Sequence, residues 1–279
     1  MKDILKLLRV QHYIKNLLVF VPLFFAGKIF DVELIKNAVI GFICFCLISS
    51  AVYVVNDIKD VEKDRKHPKK RTRPIASGRV SVKLGACCGI ICVAASLVLS
   101  GFLLNKIGLM IILLYFCINV AYSFGLKNKP IVDIVILASG FVLRIIYGGI
   151  ITDITISKWL YLVIVSGALF MGLGKRRNEL IQQKETREVL KYYTQAFLDK
   201  NMYVCVTLVI VFYSMWTLET SAKGMIWTVP ILMIILMKYS MNIEGESDGD
   251  PVDVLLNDKI LMILSILYAI CIFVMLYVL

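Results

Sequence analysis

The sequence predicts an all-α integral membrane protein, a single polytopic domain over residues 1–279 that crosses the bilayer nine times, N terminus cytoplasmic and C terminus external. Three observations predict it. Of the 279 residues 59% are hydrophobic and 18% charged, with a mean hydropathy of +0.81, whereas a soluble domain carries about 25% charge. The apolar residues gather into runs of about 20, which at about 1.5 Å per residue cross a hydrocarbon core about 30 Å thick. The remaining charges are dense, mostly basic and confined to connections, 31 Lys and Arg against 20 Asp and Glu for a net +11. The same composition excludes a disordered chain, a coiled coil and a secreted disulfide scaffold.

The first crossing, Leu17 to Phe30, is the weakest. Lys28 interrupts it, and the basic, partly amphipathic segment Met1 to Asn16 precedes it. The dispersal of Lys2, Lys6, Arg9 and Lys15 there, with no small-residue cleavage site after them, argues against a cleaved signal peptide. The second, third and fourth crossings, Ala38 to Val55, Leu84 to Leu104 and Ile107 to Leu126, are almost free of charge. The fifth, Ile131 to Ile151, contains Asp133 and Arg144, and the sixth, Trp159 to Gly174, is short. The seventh and ninth, Met202 to Leu218 and Ile260 to Leu279, are clean, while the eighth, Gly224 to Ile243, carries Lys238 near its end. With nine crossings, 25 Lys and Arg fall on the N-terminal side and five on the other, with Arg144 inside a span. The positive-inside rule then makes the N-terminal side cytoplasmic. Residues 56–83, 175–201 and 244–259 become the long cytoplasmic connections, expected to form the polar cap of any active site. The eight cysteines lie inside apolar runs and are expected to be packing residues. Trp159, Trp216 and Trp227, near span ends, are expected to be interfacial anchors.

The chemistry concentrates in the connection from Asn56 to Gly78. If the second helix continues beyond the membrane, Asn56, Asp60 and Asp64 recur every four residues on one face with Asp57 beside them. Carboxylates so spaced repel one another unless a cation sits among them, and Mg²⁺ commonly binds through one or two carboxylates plus substrate phosphate oxygens. The basic run Lys69, Lys70, Arg71 and Arg73 then supplies counter-charges for phosphate. A purely topological loop would need the basic residues but not the carboxylate row.

The string Asn56-Asp57-x-x-Asp60-x-x-x-Asp64, followed by Arg73-Pro74-Ile75-Ala76-Ser77-Gly78, resembles the first aspartate-rich motif of the UbiA superfamily of intramembrane prenyltransferases. The resemblance implies a nine-helix bundle in which the aspartates hold Mg²⁺ on a donor diphosphate. Tyr122-Ser123-x-x-Leu126-Lys127 is similar to that superfamily's segment after the fourth span. Its usual second aspartate-rich motif is replaced here by Lys175-Arg176-Arg177-Asn178-Glu179. That departure fits the decaprenyl-phosphate phosphoribosyltransferase branch, which the chain also resembles at Tyr13-Ile14-Lys15-Asn16-Leu17-Leu18, at His67-Pro68-x-Lys70-Arg71-x-Arg73-Pro74 and at Gly249-Asp250-Pro251-Val252-Asp253-Val254-Leu255-Leu256.

The branch implies transfer of 5-phosphoribose from 5-phosphoribosyl 1-diphosphate to a polyprenyl phosphate held in the bilayer, giving polyprenyl-phosphoryl-5-phosphoribose, a precursor of lipid-linked furanose sugars. The resemblance gives Asp60 and Asp64 the Mg²⁺, with Asn56 and Asp57 in support. Lys15, Lys70, Arg73 and Lys127 are candidates for the donor phosphates, Lys175 and Arg176 for the acceptor phosphate or the donor's 5-phosphate, with Asn16, Tyr122 and Arg144 as further substrate-binding residues. Two alternatives stand beside this reading: prenyl transfer from a prenyl diphosphate to an aromatic or cyclic acceptor, and a non-catalytic lipid-phosphate carrier or transporter. No nucleic-acid partner is expected, and homo-oligomerisation stays open because no helix-association motif dominates.

Seven further residues complete the expectations. Arg144, deep in the fifth span, should face the interior or a wet cavity, since an exposed charge there costs at least about 3 kcal/mol. Asp133 is eleven residues away, roughly 16 Å along a helix, too far to pair with it. His67, beside Pro68, is expected at a turn, with action on the donor as the alternative, and His12 at the interface. Asp250, Pro251 and Asp253 fit the N-cap, first turn and N3 of a short helix rather than a calcium loop.

Overall fold

The computed structural model describes residues 2–68, 70–103, 105–182, 187–245 and 251–278. Lys69 of the basic run, Leu104 and Leu279 at two span ends, and Gly249 and Asp250 lie outside the described residues.

The described residues are helical, with no strand among them. The short α1 (Lys2–Leu8) leads into a 3-10 helix, Val10–Phe20, and α2 (Val21–Phe25). Then come α3 (Val32–Lys59), α4 (Val61–Lys66), α5 (Val82–Leu103), α6 (Lys106–Ser123), α7 (Val132–Ile151), α8 (Lys158–Ile181), α9 (Gln195–Glu219), α10 (Val229–Glu244), α11 (Pro251–Asn257) and α12 (Lys259–Tyr277). Among the described residues, eight helices are long and apolar enough to cross a membrane, and Val10–Phe25 is a shorter apolar one. The eight agree with the second to ninth predicted crossings. Where the first crossing, Leu17 to Phe30, is expected, the shorter apolar segment stops at Phe25, before Gly27 takes a left-handed φ of 68°.

Side-chain caps fix where the helices begin. Asp31, Asn105, Ser157, Thr194 and Asp258 each accept a backbone N–H from the first turn of α3, α6, α8, α9 and α12, meeting donors that a helix cannot satisfy by itself. The helix α11 starts at Pro251, as the Pro251–Asp253 pattern predicts.

The chain divides into two compact units. The first comprises Met1–Lys127 and Leu143–Thr155. Its core stacks Phe45 edge-on against Tyr115 and Tyr147, ring centroids 5.0 Å apart in both cases, among Val19, Cys44, Ile48 and Ile112. In this unit the 3-10 segment packs directly on α7 at Gly148, where a Cβ would stand 2.0 Å from the Val19 carbonyl oxygen. In lipid, where apolar burial gives helices little reason to associate, such close packing replaces it. The second unit, Asn128–Val142 and Ile156–Leu279, is built on Phe170, Val189, Leu198, Met202, Ile243 and Val254.

Two sequence expectations are corrected. Trp216 is buried and stacks on Tyr213 instead of anchoring at an interface. Cys87 and Cys117 are exposed on their helices, although Cys44, Cys46 and Cys92 are buried as expected.

Candidate active site

In the first unit, the predicted carboxylate row forms although α3 ends at Lys59. The Asp60 N–H bonds the Asn56 carbonyl at 2.9 Å and the Asp64 N–H bonds the Asp60 carbonyl at 2.8 Å, so the four-residue spacing carries across the junction into α4. Asp57 and Asp64 are only 2% and 3% exposed. Buried carboxylates need compensation, and each finds a cation. Arg73 Nη1 donates to Asp64 Oδ2 at 2.6 Å and to Asp57 Oδ1 at 3.1 Å. Arg9 Nη2 donates to the same Asp57 oxygen at 2.5 Å. Lys127 Nζ is 2.8 and 2.7 Å from the two oxygens of Asp60, and Asn56 Oδ1 accepts from the Ser123 hydroxyl at 3.4 Å.

Arg9 is the residue that sequence reasoning missed as a site residue. It lies between α1 and the 3-10 helix with φ 52° and ψ 49°, a left-handed conformation uncommon outside glycine. Its guanidinium lies 4.6 Å from the centre of the Tyr53 ring. Arg9 and Asp57 are 48 residues apart, and only its place in a basic N-terminal segment hinted at a role.

The arrangement fits a small divalent cation. One guanidinium nitrogen touches both Asp57 and Asp64, so that pair already shares one positive group between hard oxygen ligands. No group of three His, Cys, Asp or Glu side chains able to hold an ion exists among the described residues. A metal here would take one or two carboxylates and complete its shell from phosphate and water, as Mg²⁺ commonly does. The grouping differs from the expectation in one respect: Asp64 is linked with Asp57, and Asp60 is held separately by Lys127.

A second polar cluster of the first unit surrounds Arg144, 5% exposed as its position in the span demands. Its Nε donates to Asn16 Oδ1 at 2.7 Å and its Nη2 to the Tyr115 hydroxyl at 3.0 Å, and its guanidinium lies over the Phe45 and Tyr115 rings. The Asn16 amide faces Cys46 Sγ and Ser49 Oγ, both at 3.3 Å. Lys15 and Lys70 are half-buried, and Tyr122 is half-buried in the last turn of α6. His67 Nδ1 accepts the Lys70 N–H at 3.2 Å, a turn-stabilising role.

In the second unit, Arg176 is wholly buried. Its Nε pairs with Asp133, and its Nη1 is 2.5 Å from Glu179 Oε2, which Arg187 also reaches at 3.2 Å. The Tyr193 hydroxyl donates to Asp133 at 2.5 Å and accepts the N–H of Ile131 at 2.6 Å. Burial, and next the bond to Asp133, push that hydroxyl well above its ordinary value, so Tyr193 remains a donor. Ile131 is itself left-handed, φ 68°. Arg177 pairs with Asp199, and Lys175 is half-buried. The expected phosphate ligand Arg176 is thus already saturated by carboxylates.

Residues 17–261 match the UbiA prenyltransferase family. The chain belongs to that family. Among UbiA relatives, it is 34% identical over 288 residues to the decaprenyl-phosphate phosphoribosyltransferase of Corynebacterium glutamicum, covering 98% of this chain and 86% of that protein. It is 34% identical over 274 residues to the enzyme of the same name from Mycobacterium tuberculosis, covering 94% and 90%. A solved UbiA homologue from Archaeoglobus fulgidus, bound to GPP and Mg²⁺, has the same fold at a TM-score of 0.75 and 20% identity, over 97% of this chain and 99% of that one.

Proposed function

We propose that this UbiA protein transfers 5-phosphoribose from 5-phosphoribosyl 1-diphosphate to a polyprenyl phosphate, with Mg²⁺ as cofactor. The observation that carries the proposal is the 34% identity to decaprenyl-phosphate phosphoribosyltransferases over 94–98% of the chain. Lys175, standing where a second acidic motif is expected, supports it, since two phosphorylated substrates bring many negative oxygens together.

In the transfer, the C1–O bond to the diphosphate breaks, the diphosphate departs, and a lipid phosphate oxygen forms the new bond to C1. One or two of the carboxylates Asp57, Asp60 and Asp64, with Asn56 in support, would hold the metal. Bound there, Mg²⁺ neutralises charge growing on the leaving group. Arg73, Lys127, Lys15 and Lys70 take phosphate oxygens, with Asn16 and Tyr122 supporting. The attacking phosphate is ionised at neutral pH and needs little general-base help, so these side chains chiefly bind, orient and balance charge. Arg144 orients Asn16 through the hydrogen bond from its Nε. Lys175 keeps its candidacy for phosphate contact, whereas Arg176 becomes a positioning residue.

We propose nine crossings, with a cytoplasmic N terminus and an active site facing the cytoplasm of a bacterial cell. The charge asymmetry supports this, with 25 Lys and Arg on the N-terminal side against five on the other. The test is donor choice. With polyprenyl phosphate present, diphosphate should be released from 5-phosphoribosyl 1-diphosphate and not from a prenyl diphosphate; the reverse preference would restore the prenyl-transfer alternative.

A further inference from the structure

Among the described residues, each carboxylate of the row faces a cation. Asp57, Asp60 and Asp64 face Arg9, Arg73 and Lys127, three charges against three, at 2.5 to 3.1 Å. The two most buried carboxylates share the single nitrogen Arg73 Nη1. Two of the side chains suited to donor phosphates, Arg73 and Lys127, are therefore engaged by the side chains suited to the metal. Neither partner can load alone without stranding the other's present counter-charge, which is costly at Asp57 and Asp64, 2% and 3% exposed.

We propose that Arg73 and Lys127 are resident counter-ions that exchange on substrate arrival. They leave the carboxylates for the donor's phosphate oxygens, and the carboxylates then accept the divalent cation, so metal and donor load together. Arg9 stays on Asp57, held by its left-handed backbone and the Tyr53 ring. This rests on the donor and metal of the proposed transfer. Its consequence is that removing a basic side chain should raise metal affinity in the absence of donor.

The experiment measures Mn²⁺ binding to the full-length protein in detergent by electron paramagnetic resonance, with and without 5-phosphoribosyl 1-diphosphate. Wild type should bind Mn²⁺ weakly alone and about 5- to 150-fold more tightly with saturating donor, the range of ordinary coupling between sites, and Mn²⁺ should tighten donor binding by the same factor. Arg73→Gln should bind Mn²⁺ alone at least about tenfold more tightly than wild type, the scale of one charge-assisted contact withdrawn from competition, and lose most of the coupling. Lys127→Gln, whose pair is 17% and 20% exposed, carries the test if Arg73→Gln does not fold. Folded variants with unchanged or weaker binding of Mn²⁺ alone would overturn the exchange while leaving phosphoribosyl transfer intact. Wild type that binds no Mn²⁺ under either condition, with transfer indifferent to chelator, would overturn the metal reading and the exchange together.

Discussion

Arg176→Met separates a phosphate ligand from a residue that holds the fold. In the wild type Arg176 compensates Asp133 and Glu179 at once, and neither Arg176 nor Asp133 has accessible side-chain surface. Removing the guanidinium leaves Glu179 with Arg187 at 3.2 Å, but leaves Asp133 with the neutral Tyr193 hydroxyl. The loss therefore falls on one buried carboxylate, and breaking such a pair costs roughly 3–5 kcal/mol. Denaturant titration of the detergent-purified protein should read a destabilisation of about that size, provided unfolding is reversible. Adding Asp133→Asn should recover much of it, because the stranded charge is then gone. A variant as stable as wild type, with a raised KM for donor or acceptor, would refute this reasoning and return Arg176 to phosphate binding.

Three further outcomes are expected. Gly148→Ala sets a Cβ 2.0 Å from the Val19 carbonyl oxygen, and backbone cannot yield as a side chain can; it should destabilise by about 1–3 kcal/mol, whereas Gly167→Ala, with Val209 at 3.8 Å, should be tolerated, and equal melting behaviour of the two would contradict the packing described. The hydrogen bond from Lys238, and next the Leu261 N–H, hold Asp258 at about 2, below an ordinary carboxyl; its contribution to stability is present above pH ~4 and is lost as pH falls towards 2, so a ¹³C carboxyl titration with a midpoint near 4 would refute the cap. Asp60→Asn should lower chelator-sensitive transfer by about two orders of magnitude or more, the scale of losing an electrostatic group at a developing charge, and wild-type turnover would remove Asp60 from the site.

The eight long helices were legible because lipid demands long apolar runs and the charges punctuate them. The carboxylate row was legible because an α-helical spacing of four survives the α3–α4 junction. Arg144 could be placed inside, since a charge at that depth has few alternatives. What spacing does not encode is which distant side chain closes a charge. Asp133 meets Arg176 across 43 residues and Tyr193 across 60, so a basic cluster read as a phosphate site contains a saturated arginine. Arg9 reaches Asp57 through a left-handed backbone that nothing in its own side chain announces. The segment expected as the first crossing differs because eleven of its residues form a 3-10 stretch, longer than such helices usually run, which apolar run length does not announce.

The most direct test of the central claim uses purified protein in detergent with Mg²⁺ and a short polyprenyl phosphate, following radiolabel from 5-phosphoribosyl 1-diphosphate into the organic phase with a chelator control. Phosphoribosyl transfer predicts label in the lipid fraction that disappears with chelator. No labelled lipid, from a preparation that moves a prenyl group from a prenyl diphosphate to an aromatic acceptor, would contradict it.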